Sequence, residues 1–367
     1  MSLHKELDDY IQNVYKFEKV WKDKCSKYDV QSQSHILPAV KRIIVIGDIH
    51  GDWEMTQESL KIAKLVDDKG NWIGGETVVV QVGDQVDRCR YSGVPCNLKN
   101  ATTQDEGNDW KILQYFTALH KQAQKVGGAV YSLIGNHELS NVAGDFRYVS
   151  YEGLKEFDNY KKPDGTGFKD GKDARLWAFN FGNPISEFLA CTRQVALIIG
   201  SNLFVHGGII PKIAKKYSVK NLNQLMTLYL LDKLKDPEFK ELINSNESPL
   251  WTRTFGNMGI EQYSKKNKSQ TVVNTKSQCK QLLNPLKKIY KVDKIFVGHT
   301  PILDQGMCSV CDGKVWLTDY GMSKAFDKFD KKLATESNSD EDHHRSATRN
   351  AHVLEILDDG KEINILK

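Results

Sequence analysis

The apolar positions of this chain fall in short, uninterrupted runs that stop at glycine. "RIIVIG" (42–47), "TVVVQVG" (77–83), "AVYSLIG" (129–135), "NLFVHGG" (202–208) and "KIFVGH" (294–299) carry few alternating polar residues. Such runs predict strands buried on both faces, as in sheets covered by helices. Stretches of helical period, "DWEMTQESLKIAKLV" (52–66) and "DWKILQYFTALHKQAQKV" (109–126), separate the first three, and the order strand, helix, strand predicts a layered α/β fold. Further on, "MCSVCDGKVWLTDYG" (307–321) has Asp312-Gly313 between alternating segments, which predicts a β-hairpin and makes the sheet mixed. Near the start Leu7, Ile11, Val14, Tyr15 and Phe17 recur at roughly helical spacing, predicting one amphipathic helix over 6–24 laid outside the core. Residues 161–173, 264–278 and 330–350 read as surface loops, and the last, rich in Ser, Asn and both signs of charge, is expected to be mobile. His343 and His344 inside it read as solvated loop residues.

Composition narrows the partners. With 40% hydrophobic and 27% charged residues the chain is an ordinary globular one, and its 367 residues are enough for one large core. The balance of 51 basic and 47 acidic residues, net +4, contains no Lys/Arg block, so nucleic acid is not an expected partner. The start, "MSLHKELDDYIQNVYKF", carries early acids and no leader-like apolar core. Nor is there an apolar run of about 18 residues, so no membrane partner is expected. Seven widely scattered cysteines fit a reducing compartment better than a disulfide framework, which makes cytoplasmic localisation the expectation.

Each of the five apolar runs ends in groups that are costly to bury. Asp48 and His50 follow the first, Asp84 the second, Asn136 and His137 the third; His206 lies at the end of the fourth and His299 follows the fifth. In α/β sheets, ligands bind beyond the carboxyl ends of strands, where loops converge. A lone strand-end Asp or His is more often hydrogen-bonded core, but five coincidences point to one site. Carboxylate and amide oxygens mixed with imidazoles suit first-row divalent metals, and even without His137 the six such groups exceed one tetrahedral zinc, so two ions are implied.

In this order "GDIHG", "GDQVDR", "GNHE", "HGG" and "GHTP", spanning residues 47–301, resemble the motif set of calcineurin-like metallophosphoesterases of the phosphoprotein phosphatase family. "GNHELSNVAGDFRYV" (135–149) and "DYGMSKAF" (319–326) are most similar to the Shewanella-like protein phosphatases. The resemblance implies layered mixed β-sheets flanked by helices, with residues 1–40 a helical extension and 41–367 the catalytic domain. It implies that Asp48, His50 and Asp84 hold one metal, and that Asp84 bridges to a second held by Asn136, His206 and His299. Manganese is the expected ion, with iron or zinc as alternatives. A hydroxide shared by the metals would attack a phosphomonoester on a protein, phosphoserine or phosphothreonine and also phosphotyrosine. His137, oriented by Asp87, would protonate the leaving oxygen, and Arg88 and Arg253 would grip the phosphate. The same scaffold also suits a dinucleoside-polyphosphate hydrolase or phosphodiesterase, or an inactive phosphoprotein-binding scaffold.

The chain departs from the family's second motif at Cys89, where glycine is usual, and an insertion-like loop follows over 90–109. Cys89 is therefore a candidate oxidisable thiol beside the site. Cys308 and Cys311 form a C-x-x-C that reads as hairpin packing or half of a zinc knuckle. Tyr320 is a candidate for lining the cleft. No feature of the sequence speaks to oligomeric state.

Overall fold

All five apolar runs form strands where the sequence puts them. The computed structural model describes residues 3–28, 34–90, 93–263, 276–303, 306–327 and 350–367. Its strands are β1 (Ile36–Leu37), β2 (Arg42–Ile46), β3 (Val78–Gln81), β4 (Ala129–Leu133), β5 (Arg193–Gln194), β6 (Ala196–Ile199), β7 (Asn202–Val205), β8 (Lys294–Val297), β9 (Cys308–Val310), β10 (Val315–Leu317), β11 (Val353–Leu357) and β12 (Glu362–Leu366). They make two six-stranded sheets, in the orders β12-β11-β2-β3-β4-β5 and β1-β6-β7-β8-β10-β9. Both sheets are mixed. In the first, β2, β3, β4 and β5 run parallel while β11 joins β2 antiparallel; in the second, β8 is parallel to β7 and to β10.

Phe204 and Phe296 stack at 4.9 Å on neighbouring strands of the second sheet. They share one buried cluster with Ile44, Val79 and Leu354 of the first, so the two sheets face each other across a common core. The predicted helices appear as Trp53–Ile62 and Asp109–Gln124. Asp52 caps the former by accepting the Met55 N–H at 3.1 Å. The predicted hairpin forms too, with Val315 opposite Val310.

Three expectations need correction. Residues 6–24 are not one helix but parts of two, Leu3–Tyr15 and Phe17–Cys25, divided at Lys16, whose left-handed backbone (φ 51, ψ 48) ends the first. They do not lie outside the core either, since Ile11 and Phe17 are buried in the larger hydrophobic cluster. The cysteines pair instead of staying reduced: Cys25–Cys191, Cys89–Cys96 and Cys279–Cys311 are disulfides, with Cα separations of 5.1, 5.7 and 5.6 Å. That removes the ground for a cytoplasmic expectation. It also rules out the zinc knuckle, because Cys311 is engaged and Cys308 is the single thiol; burial pushes the Cys308 pKa up to about 12. Among the described residues no helix is long and apolar enough to cross a membrane. Most of the expected loops at 264–278 and 330–350, with His343 and His344, lies outside the described residues.

Candidate metal centre

The carboxyl ends of β2, β3 and β4 from one sheet and of β7 and β8 from the other converge, and backbone hydrogen bonds lock them together. Ile49 and His50 donate N–H bonds to the Asp84 carbonyl (3.0 and 2.9 Å), and Gly298 N–H donates to the His206 carbonyl at 2.8 Å. Across the sheets, His299 N–H donates to Asp48 Oδ2 at 2.9 Å. His50, Asp84, Asp87 and His299 all adopt left-handed backbone, φ 50, 52, 73 and 68. Each such residue costs on the order of 1 kcal/mol or more, a strain typical of functional sites. Two glycines permit the close approach. A Cβ at Gly135 would stand 2.1 Å from Asp84 Oδ1, and one at Gly298 2.2 Å from Asp48 Oδ1.

Each ligand-type imidazole has one nitrogen occupied. His50 Nδ1 donates to the Val86 carbonyl (3.3 Å), His206 Nδ1 to the Val82 carbonyl (2.9 Å) and His299 Nε2 to the Trp251 carbonyl (3.1 Å). A carbonyl can only accept, so in the neutral ring the opposite nitrogen keeps its lone pair for a cation; for His206 burial works against the charged form but Asp84 outweighs it and raises the pKa, a proton that a bound cation would replace. Asp84 is the common member of two ligand-capable trios, His50–Asp84–His137 and Asp84–His206–His299, with the ligand atoms of each trio within 4.8 Å of one another. Its Oδ1 lies 3.3 Å from His206 Nε2, which is also 3.0 Å from Asn136 Oδ1. Asp48 stands outside both trios, but its buried Oδ1 has no hydrogen-bond partner among the described residues. All of these residues are buried.

The electrostatics ask for positive charge. Burial, then Asp319 and Asp84, push the Asp48 carboxyl well above its usual range. Burial acts the same way on Asp84, but His206 and His137 outweigh it and hold that group well below its usual range. Burial drives His50 and His299 well below the ordinary imidazole value, which favours the neutral, ligating form. An orphaned carboxylate oxygen, three imidazoles and a shared aspartate in one buried cluster are a fitting donor set for divalent cations.

Beside the trios runs a second chain of contacts. His137 Nδ1 lies 2.6 Å from Asp87 Oδ2. Asn141 Nδ2 donates to Asp87 Oδ1 at 2.8 Å, and Arg175 Nε donates to Asn141 Oδ1 at 2.8 Å. Arg175 Nη2 reaches Asp109 Oδ2 at 2.7 Å, and that carboxylate takes the Asp87 N–H at 3.2 Å. Asp87 is thus a partner of His137, not a helix cap. Glu138 binds no imidazole; it accepts the N–H groups of Gly135 (2.6 Å), Gln85 (2.6 Å) and Asp84 (3.1 Å), fixing the turn that presents Asp84.

The two arginines expected on the phosphate have different surroundings. Arg88, expected on the phosphate, is buried in an ion pair with Asp52 and also donates to Ser323 Oγ (2.9 Å) and the Gln104 carbonyl (3.1 Å). Arg253 is exposed at the rim, donating to the His299 carbonyl at 3.0 Å. Tyr320 is turned from the cleft: its hydroxyl donates to the Asn350 carbonyl (2.8 Å) and accepts the His352 N–H (2.6 Å). Cys89, expected as an oxidisable thiol, is bonded to Cys96. Sequence reasoning missed Arg90, Asn141, Arg175 and Asp319. The signal for Asn141 and Asp319 lay inside quoted motifs, whereas Arg175 had none.

Residues 41–303 match the family model described as calcineurin-like phosphoesterase. The chain is 30% identical over 330 residues to Shewanella-like protein phosphatase 2 of Arabidopsis thaliana, covering 81% of this chain and 76% of that protein. It is 37% identical over 270 residues to protein R398 of Acanthamoeba polyphaga mimivirus, covering 67% of this chain and 95% of that one. Among solved structures, a cold-active protein-tyrosine phosphatase of a psychrophilic Shewanella superposes with a TM-score of 0.60 at 20% identity, over 92% of this chain and 83% of that one.

Proposed function

Since the chain belongs to the calcineurin-like phosphoesterases and, among them, to the Shewanella-like protein phosphatases, and is a hydrolase of phosphoesters, we propose that it dephosphorylates proteins at a dinuclear metal centre. Asp48, His50 and Asp84 would hold one divalent ion, and Asp84, Asn136, His206 and His299 the other. Manganese suits these nitrogen and oxygen donors, as do iron and zinc. When bound, such a pair supplies an activated water for attack at phosphorus and neutralises charge on the phosphoryl oxygens. The observation that carries the reading is the sharing of Asp84 by two ligand trios, with a His–Asp pair alongside.

The chain's own residues handle the proton and the orientation. With Nδ1 bonded to Asp87, His137 presents Nε2 as the donor to the leaving oxygen of phosphoserine, phosphothreonine or phosphotyrosine. Asn141 fixes Asp87, and through it the imidazole plane. Tyr148 stands 5.0 Å from the His137 ring and Phe326 5.8 Å from the His50 ring, forming apolar walls that keep bulk water from the centre.

The test is turnover of phosphoserine, phosphothreonine and phosphotyrosine peptides, and of dinucleoside tetraphosphate, by protein stripped with chelator and reloaded with manganese. Phosphopeptide turnover should dominate and vanish in Asp84→Asn together with both metals. Turnover of the nucleotide alone would refute the protein-phosphatase reading, and an Asp84→Asn variant that keeps two metals would contradict the shared ligand.

A further inference from the structure

We propose that Arg175 is a positioning residue for the proton given to the leaving group, fixing the aim of His137 through Asn141 and Asp87; this rests on the phosphatase reading above. Arg175 belongs to the helix Gly171–Phe179, which carries none of the strand-end motifs, and it is 0% exposed.

The orientation of each group in this chain is dictated by the next. Asn141 Nδ2 donates to Asp87 Oδ1 at 2.8 Å and to the His137 carbonyl at 2.9 Å. A carboxylate and a carbonyl only accept, so the amide has to turn its nitrogen toward them and its oxygen away. On the far side that oxygen meets the Arg175 Nε–H at 2.8 Å. With the amide turned over, Oδ1 would face the Asp87 carboxylate, and Nδ2, which can only donate, would face a guanidinium that can only donate. Arg175 therefore fixes the sense of Asn141. Asn141 then occupies Asp87 Oδ1, and Oδ2 is left for His137 Nδ1 at 2.6 Å. That last contact sets the direction in which the opposite ring nitrogen points.

The same guanidinium holds Asp87 from its backbone side. Arg175 Nη2 reaches Asp109 Oδ2 at 2.7 Å, and this carboxylate accepts the Asp87 N–H at 3.2 Å. Asp87 has left-handed backbone (φ 73), so a strained residue is clamped through both its side chain and its main chain. A third donor, Nη1, binds the Gly153 carbonyl at 3.1 Å, and the rings of Phe179 and Phe157 lie 4.9 and 5.3 Å from the guanidinium. Neutralising Asp109 would take one cationic nitrogen, which lysine supplies. A rigid fork with donors aimed at Asn141, Gly153 and Asp109 does more, because it fixes three segments relative to one another. A general acid has to stand within hydrogen-bond reach of the leaving oxygen, and a misplacement of about 1 Å costs on the order of a hundredfold in rate.

The experiment uses the full chain loaded with manganese and two substrates that differ in their need for the proton. In a phosphoserine peptide the serine oxygen keeps the electron pair of the broken P–O bond and takes the proton from His137 Nε2; dinitrophenyl phosphate releases a phenolate that is stable without one. Arg175→Lys keeps a cation for Asp109 but lacks the fork that meets Asn141 and Asp109 together. It should lower kcat on the phosphopeptide roughly tenfold to a hundredfold, with KM unchanged, both metals present by atomic emission, and kcat on dinitrophenyl phosphate within about twofold of the parent's. Asn141→Leu cuts the link while sparing the Arg175–Asp109 pair; it should show the same split, and it carries the test if Arg175→Lys does not fold. An equal fall on both substrates, a lost metal, or full phosphopeptide turnover in Arg175→Lys would overturn the inference. A parent protein that holds two metals yet hydrolyses neither substrate would end the phosphatase reading, and the inference with it.

Discussion

Arg175→Met tests the buried chain behind His137. The substitution keeps length and apolar bulk but deletes a cation that is 0% exposed. It removes the bonds to Asn141 Oδ1 (2.8 Å), the Gly153 carbonyl (3.1 Å) and Asp109 Oδ2 (2.7 Å), leaving Asp109 a buried carboxylate without its countercharge. Breaking a buried pair from one side costs about 3–5 kcal/mol. With a melting entropy of about 2.1 cal/mol/K per residue over 367 residues, that is a fall in Tm of roughly 4–6 °C. The loss should depend on pH. Burial already raises the Asp109 pKa, Arg175 opposes the rise and Asp87 adds to it. For an acid whose folded value lies above the unfolded value of about 3.9, stability falls as pH climbs through the folded value. Removing Arg175 raises that value further, so the deficit should be smaller at pH 5 than at pH 8. Dye-monitored melting at the two pH values reads both effects. A deficit below about 1 °C, or one equally large at pH 5, would refute the assignment of Arg175 as countercharge to Asp109.

Two further substitutions bear on the centre itself. His137→Asn should lower kcat about a hundredfold, the usual scale for a general acid, while both metals remain by atomic emission; loss of a metal would instead make His137 a ligand of the trio with His50 and Asp84. Gly298→Ala puts a Cβ 2.2 Å from Asp48 Oδ1 and 2.9 Å from Val82 Cγ2, so metal uptake at limiting manganese should weaken, and uptake equal to the parent's would remove Asp48 from the centre.

Much of this was legible in the sequence, for identifiable reasons. Buried strands read as continuous apolar runs, and polar groups placed at the end of each stand out against them. What stayed hidden depends on backbone direction or on distant pairing. Arg88 and Arg90, two positions apart, have different surroundings, one paired with Asp52 and the other not, beyond the left-handed turn at Asp87, a conformation that neither residue type announces. Cys25 and Cys191 are 166 positions apart, so spacing carries no sign of their bond. Glu138 stands in a quoted motif, but its task of holding three backbone N–H groups in the Asp84 turn exists only once that turn is folded. The helical period over 6–24 is real but belongs to two helices, because the break at Lys16 is a backbone event that lysine does not favour. The β-branched and apolar residues of "HVLEIL" and the alternation in "EINI" are sequence signals for β11 and β12.

The antiparallel place of β11 beside β2 has a kinetic consequence. On one side β2 pairs with β3, but on the other it waits for a partner far along the chain: Arg42 and Glu355, bonded across that pairing, are 313 positions apart. Pairings of such long range close late, because the entropy of a very long loop is lost before the contact returns anything. Until then β2 is an open edge with Ile43, Ile44, Val45 and Ile46 behind it, a template for wrong partners on a chain still being made or refolding. Asp48 and His50 follow β2 directly, so the strand that seals this edge also sets the footing of the first two metal-site residues. The footing of Asp48 and His50 thus depends on one of the longest-range pairings in the chain.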